Sequence, residues 1–150
     1  MAAGNANELL DFAIAGEQEA HDFYMDLAER VERPAMKKLL AGFAREEAGH
    51  KRKLESIKKG SRSFPYADDV VDLKIADYLV EIEAKGDLTY QEALILAMKR
   101  EKAAFRLYTD LAGLTADKDL KIVFQSLAQE EAKHKLRFEL EYDERVLGEN

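Results

Sequence analysis

Four glutamates and two histidines stand where an apolar helix face should run unbroken. They fall as Glu17, then Glu47-x-x-His50, then Glu101, then Glu131-x-x-His134. A Glu and a His three residues apart lie one turn apart on the same helix face, so together they can chelate one cation. Carboxylate and imidazole donors without thiolate suit iron or manganese, and zinc can occupy such sites too. The chain has no cysteine, which excludes zinc-thiolate sites, iron–sulfur clusters, disulfides and thiol catalysis together.

The elements that must position these residues are helices. Apolar residues recur at alternating steps of three and four, the mark of a core-facing helix. The first such seam is Leu10, Ala13, Glu17, Ala20, Tyr24, Leu27 and Val31. The second is Met36, Leu40, Phe43, Glu47, His50, Leu54 and Ile57. The third is Leu94, Ala97, Glu101, Ala104, Tyr108 and Leu111, and the fourth is Leu120, Phe124, Leu127, Glu131, His134 and Phe138. Each is interrupted at its middle by Glu, or by Glu and His, and no Lys or Arg stands in a seam to neutralise them. Burying an ionised carboxylate costs several kcal/mol even after relaxation. Four in one core are untenable without a counter-charge, and divalent cations supply one.

Start and stop signals predict four helices of roughly 25–30 residues, or about 35–45 Å each. The first should run from about Glu8, with Asn7 as N-cap, to about Glu32. The second should start at Pro34 and end near Gly60. The third should follow a capping box of Thr89 and Glu92 and stop near Gly113. The fourth should follow Thr115–Asp117 and stop near Gly148. Between the second and third, residues 60–87 open as a loop and continue as a shorter amphipathic piece, Val71 to Ile82. Short turns within two helical hairpins and one long crossover between them are the connectivity of a ferritin-like four-helix bundle. The chain is therefore expected to be all-α, with 1–150 forming a single domain.

The sequence also repeats itself. Residues 13–57 shifted by 84 fall on 97–141 without a gap and are identical at 15 of 45 positions, Glu17/Glu101, Tyr24/Tyr108, Glu47/Glu131 and His50/His134 among them. Two copies with so long a period indicate two hairpins related by a pseudo-two-fold axis. Folding the first hairpin about Arg33 brings Glu17 level with the stretch between Glu47 and His50, and the shift gives the second the same alignment. Four carboxylates and two imidazoles are therefore expected to meet at mid-bundle.

Composition narrows the partners. With 150 residues, 47% hydrophobic and 35% charged, the chain reads as globular. A net charge of −7 argues against nucleic acid, whose phosphates call for a basic face. No signal peptide or membrane-length apolar run is evident, so the expectation is a cytoplasmic protein with no membrane partner.

Several neighbours of the site carry two readings. Tyr24 and Tyr108, seven residues after seam glutamates, are core packing or else hydrogen-bonding partners of a ligating carboxylate or redox-active phenols. Glu46 and Glu130 orient a histidine or lie on a solvated face. His21 is read as packing or surface.

The constellation Glu17, Glu47-x-x-His50, Glu101, Glu131-x-x-His134, one motif per helix, resembles the rubrerythrin branch of the ferritin-like di-iron proteins. The resemblance spans essentially the whole chain, including Ala15-Gly16-Glu17 and Glu130-Glu131-Ala132-Lys133-His134. It implies two iron ions reacting with hydrogen peroxide or dioxygen, an oxidoreductase connected with oxidative stress, and a homodimer. Two departures stand out. Rubrerythrins carry a C-terminal rubredoxin domain with four cysteines, whereas this chain ends at Asn150 and has none, so electrons must come from a separate reductase or rubredoxin-like donor. They also carry a further carboxylate one turn after the third-helix glutamate, where Ala104 stands here. The remaining set is symmetric, as in the ferroxidase centre of bacterioferritin. The alternatives are thus iron handling or storage by ferroxidation, and a non-catalytic bundle stapled by metal.

Overall fold

The computed structural model describes residues 2–60, 78 and 88–147. The helices are α1 (Ala2–Arg30), α2 (Pro34–Lys59), α3 (Tyr90–Leu114) and α4 (Lys118–Tyr142), and a single π-helical turn, Asp143–Leu147, follows α4. The short crossover helix expected over Val71–Ile82 lies outside the described residues apart from Tyr78.

The chain resolves into two compact units, one built on the α1–α2 hairpin and one on the α3–α4 hairpin. Their boundaries obey the repeat. α1 ends at Arg30 and α3 at Leu114, while α2 starts at Pro34 and α4 at Lys118, each pair separated by the same 84-residue shift.

Local chemistry explains most of the ends. Thr89 accepts from the Glu92 backbone N–H at 3.1 Å, and the Glu92 side chain accepts from the Thr89 N–H at 3.0 Å, closing the expected capping box. Asp117 caps α4 by accepting from the N–H groups of Asp119 and Leu120. Arg33, at the same place before α2, makes no side-chain cap. There Pro34 does the work instead, holding Arg33 extended and supplying a helical φ in the first turn.

Three ends differ from expectation. α1 starts at Ala2, so Asn7 lies inside it rather than capping it. Ala2, Ala3 and Ala6 are the strongest helix formers and extend the helix past Asn7. α3 runs through Gly113 and stops where Thr115 turns extended at ψ 139°, so the short loop to Asp117 ends the helix without a left-handed glycine. α4 gives way to the wider turn at Asp143 rather than continuing to Gly148.

In the first hairpin Leu10, Ala13, Ala20, Tyr24 and Leu27 of α1 and Met36, Leu40, Phe43, Ala44 and Leu54 of α2 are buried. In the second, Leu94, Ala97, Tyr108, Leu111, Phe124, Leu127 and Phe138 take those roles. Each such Leu or Phe contributes about 1.5–3 kcal/mol. The seams loosen at Val31, Ile57, Ala104 and Leu120, which are half-buried. Polar links fix each hairpin's register. Lys37 donates to the Ala28 carbonyl at 2.9 Å, Lys51 to Gln18 at 2.8 Å, and Lys58 pairs with Asp11. In the second unit Tyr90 donates to Glu141, and Tyr78 to Asp110 at 2.7 Å.

Thr89→Ala removes the bond from the Glu92 N–H to the Thr89 hydroxyl and is expected to lower stability by about 1 kcal/mol. Urea unfolding reads this as a lower midpoint at unchanged slope, and an unmoved midpoint would show that the hydroxyl cap contributes nothing.

Candidate metal centre

Each hairpin assembles one triad. In the first, His50 Nδ1 lies 2.9 Å from Glu17 Oε2, across from α1, and 3.2 Å from Glu47 Oε1 on its own helix. In the second, His134 Nδ1 lies 2.9 Å from Glu101 Oε2 and 3.8 Å from Glu131 Oε1. The same ring nitrogen and the same kinds of oxygen meet in both, as the repeat requires. The level at which Glu17 was expected to meet α2 is the level observed.

All six side chains are buried, none more than 4% exposed. Within each triad one donor atom per residue lies within 4.8 Å of the others. Three of the four separations, 2.9, 3.2 and 2.9 Å, match the edges of a coordination polyhedron, and the 3.8 Å from His134 to Glu131 is somewhat longer. Donors about 2.1 Å from a metal stand about 3.0 Å apart at neighbouring octahedral positions and about 3.4 Å apart in a tetrahedron. The charge count points the same way. Two carboxylates share one imidazole, so even a protonated ring leaves a net negative charge in the triad, whereas a dication held by the neutral ring and both carboxylates cancels their charge. The residues therefore fit a metal ion in each hairpin.

The neighbouring candidates separate clearly. Tyr24 and Tyr108 are fully buried, and Tyr24 packs edge-on against Phe43 with ring centroids 6.3 Å apart. Glu46 faces outward and Glu130 is half-buried. His21 belongs to neither triad. Its Nδ1 lies 3.0 Å from Asp22 Oδ1 on the outer side of α1, and that bond, with a second from Gln18, holds the Asp22 carboxyl below its usual range.

One buried carboxylate escaped the sequence reading. Glu141, three residues beyond Phe138, is 1% exposed and accepts from the Tyr90 hydroxyl. Extending the α4 seam by one step would have found it. Its phenol partner makes it a structural tie between the ends of α3 and α4.

A family model described as Rubrerythrin matches residues 8–142. Among solved structures, a Thermotoga maritima protein titled as a candidate ferritin-like diiron-carboxylate protein superposes with a TM-score of 0.70. It is 22% identical, over 91% of this chain and 93% of its own. A hypothetical protein from Pyrococcus furiosus gives a TM-score of 0.66 at 27% identity, over 91% of this chain and 87% of its own. No curated protein matches the chain. The fold is thus all-α and ferritin-like.

Replacing Glu17 and Glu101 with Leu leaves one Glu and one His in each hairpin, a balanced pair in place of an excess of carboxylate. The metal-free double variant is expected to be more stable than the metal-free parent, by about 1–4 kcal/mol, and to lose tight metal binding. Thermal melting with and without Mn(II) reads both effects. A variant melting well below the metal-free parent would show that these carboxylates are not a burden on the core.

Proposed function

This chain belongs to the rubrerythrin family, and from that premise we propose that it is a di-iron oxidoreductase that reduces hydrogen peroxide or dioxygen. The observation that carries the reading is the twofold triad: Glu17, Glu47 and His50 in one hairpin, Glu101, Glu131 and His134 in the other, with matching donor atoms. We take these six as the residues that would hold two metal ions, one triad in each hairpin. Two Fe(II) ions held there would supply two electrons, which with two protons convert one hydrogen peroxide to two waters. The protein's share would be to hold the donors in a dry core, with the carboxylates able to shift as the charge beside them changes.

Tyr24 and Tyr108 are proposed to steady that shift from the buried seam. Tyr24→Phe with Tyr108→Phe should leave metal content unchanged and slow the oxidation of the reduced centre. Unaltered kinetics would return both phenols to packing alone. The sequence holds no cysteine, so electrons for repeated turnover are assigned to a separate one-electron carrier.

Ala104, half-buried at the place of the additional family carboxylate, supports a second reading, oxidation of Fe(II) for iron handling. It leaves a symmetric six-ligand set. One experiment separates the two. After anaerobic loading the chain should hold two iron ions. Rapid mixing with peroxide should then give a single fast oxidation that stops until a donor is added. Faster reaction with dioxygen than with peroxide, together with a cage-sized mass in solution, would favour iron handling. A plateau at one iron per chain would overturn the dinuclear centre itself.

A further inference from the structure

α2 is a basic helix in an acidic chain. It carries Lys37, Lys38, Arg45, Lys51, Arg52, Lys53, Lys58 and Lys59 against Glu46, Glu47 and Glu55, while the whole chain has net charge −7. All of these cations but Lys53 fall on two lines. Lys37, Lys51 and Lys58 turn toward α1 and are taken up by the Ala28 carbonyl, Gln18 and Asp11. Lys38, Arg45, Arg52 and Lys59 recur every seven residues, and all four are exposed. Seven residues advance a helix by about 10 Å and drift it by only about 20°, so these four form a nearly straight row about 30 Å long.

The first half of the row has no acid beside it on its own helix, whereas Glu55 stands three residues from Arg52 and four from Lys59. Positions three and four residues from Lys38 and Arg45 are Pro34, Ala35, Ala41, Gly42, Ala48 and Gly49, where an ordinary surface helix would place acids. Among the described residues none forms an ion pair with Lys38, Arg45 or Arg52. The Arg45 and Arg52 guanidinium groups lie back over Gly42 and Gly49. Nor does the fold demand charge here. The 84-residue shift carries Lys38, Arg45 and Arg52 onto Ile122, Gln129 and Leu136 of α4, and Ile122 and Leu136 are 63% and 57% exposed.

Arg45 and Arg52 flank the level of Glu47 and His50. At 100° per residue each lies about 160° around α2 from one of these buried side chains, so the row and the first triad are separated by one helix diameter, about 10–12 Å. We propose that the row Lys38–Arg45–Arg52–Lys59 is the docking surface for a small acidic one-electron carrier protein that re-reduces the metal centre through α2. This rests on the oxidoreductase reading above. Reducing one peroxide to two waters consumes two electrons and two protons, so each turnover takes two encounters, and each carrier molecule leaves oxidised by one electron. Opposite charge on the carrier raises the encounter rate and fixes its orientation.

Reduced rubredoxin, a small acidic carrier, serves as the probe. The iron-loaded chain is oxidised with peroxide, and its re-reduction is followed by anaerobic rapid mixing. The second-order rate constant should fall with added salt and fall at least about tenfold in Arg45→Glu/Arg52→Glu, whereas Arg45→Lys/Arg52→Lys retains most of it. Oxidation by peroxide and re-reduction by a neutral hydroquinone should be the same in all three proteins. An unchanged rubredoxin rate in the charge-reversed variant overturns the proposal, as does an equal loss with the hydroquinone. Loss of duplex-DNA binding with rubredoxin reduction intact also overturns it and makes the row a nucleic-acid contact. If peroxide fails to oxidise even the parent protein, the oxidoreductase reading is what has failed. Docking is then still read from salt-sensitive binding of oxidised rubredoxin to the zinc-loaded chain and its loss in the charge-reversed variant.

Discussion

Two carboxylates buried beside one imidazole set the terms for each hairpin. Helix packing alone would fill positions 17, 47, 101 and 131 with apolar side chains, as it does at Leu10, Leu40, Leu94 and Leu127 of the same seams. Taking these charges out of water costs several kcal/mol apiece, and no lysine or arginine of the same seam shares the burden. A cation with more than one positive charge, as proposed above, would make the arrangement tenable. The tight caps, the three-residue turns and the cross-helix lysine bonds can be understood as the stability that lets such a core exist.

The internal repeat spreads this burden evenly. A single hairpin carrying all four glutamates would have no room to separate them, whereas two hairpins each carry a pair. The buried triad residues, and the tyrosines two turns from them, stayed the same in both copies: Glu17 and Glu101, Tyr24 and Tyr108, Glu47 and Glu131, His50 and His134. The outward faces drifted, to a cationic row on α2 and an apolar one on α4. Identity was retained where electrostatics leaves few solutions and lost where solvent tolerates many.

Much of this was legible in the sequence because helices impose a period and hairpins impose a mirror. The seams single out six polar side chains that the fold buries, and counting outward from Arg33 places Glu17 opposite His50. Chain ends were less legible. Asn7 is a sound N-cap by type, but three alanines before it carry the helix onward, and propensity cannot say which signal wins. Gly113 looked like a stop and is only a passage, since the extended backbone at Thr115 does the stopping. Polar ties between distant side chains, Tyr90 with Glu141 and Tyr78 with Asp110, follow no period and could not be read at all.

The locality of each triad bears on how the chain folds. Glu17 and His50 are 33 residues apart, as are Glu101 and His134, and each pair meets within one helical hairpin closed by three residues. Contacts of such short range form early and fast, so a triad can be complete in a chain that is only half folded. A metal able to bind that half-folded chain stabilises it as well as the native state, which reduces the net gain from binding. Unfolding of the loaded protein then has a natural stopping point, with one hairpin lost and the other still closed around its ion. A single unfolding free energy would not describe such a protein.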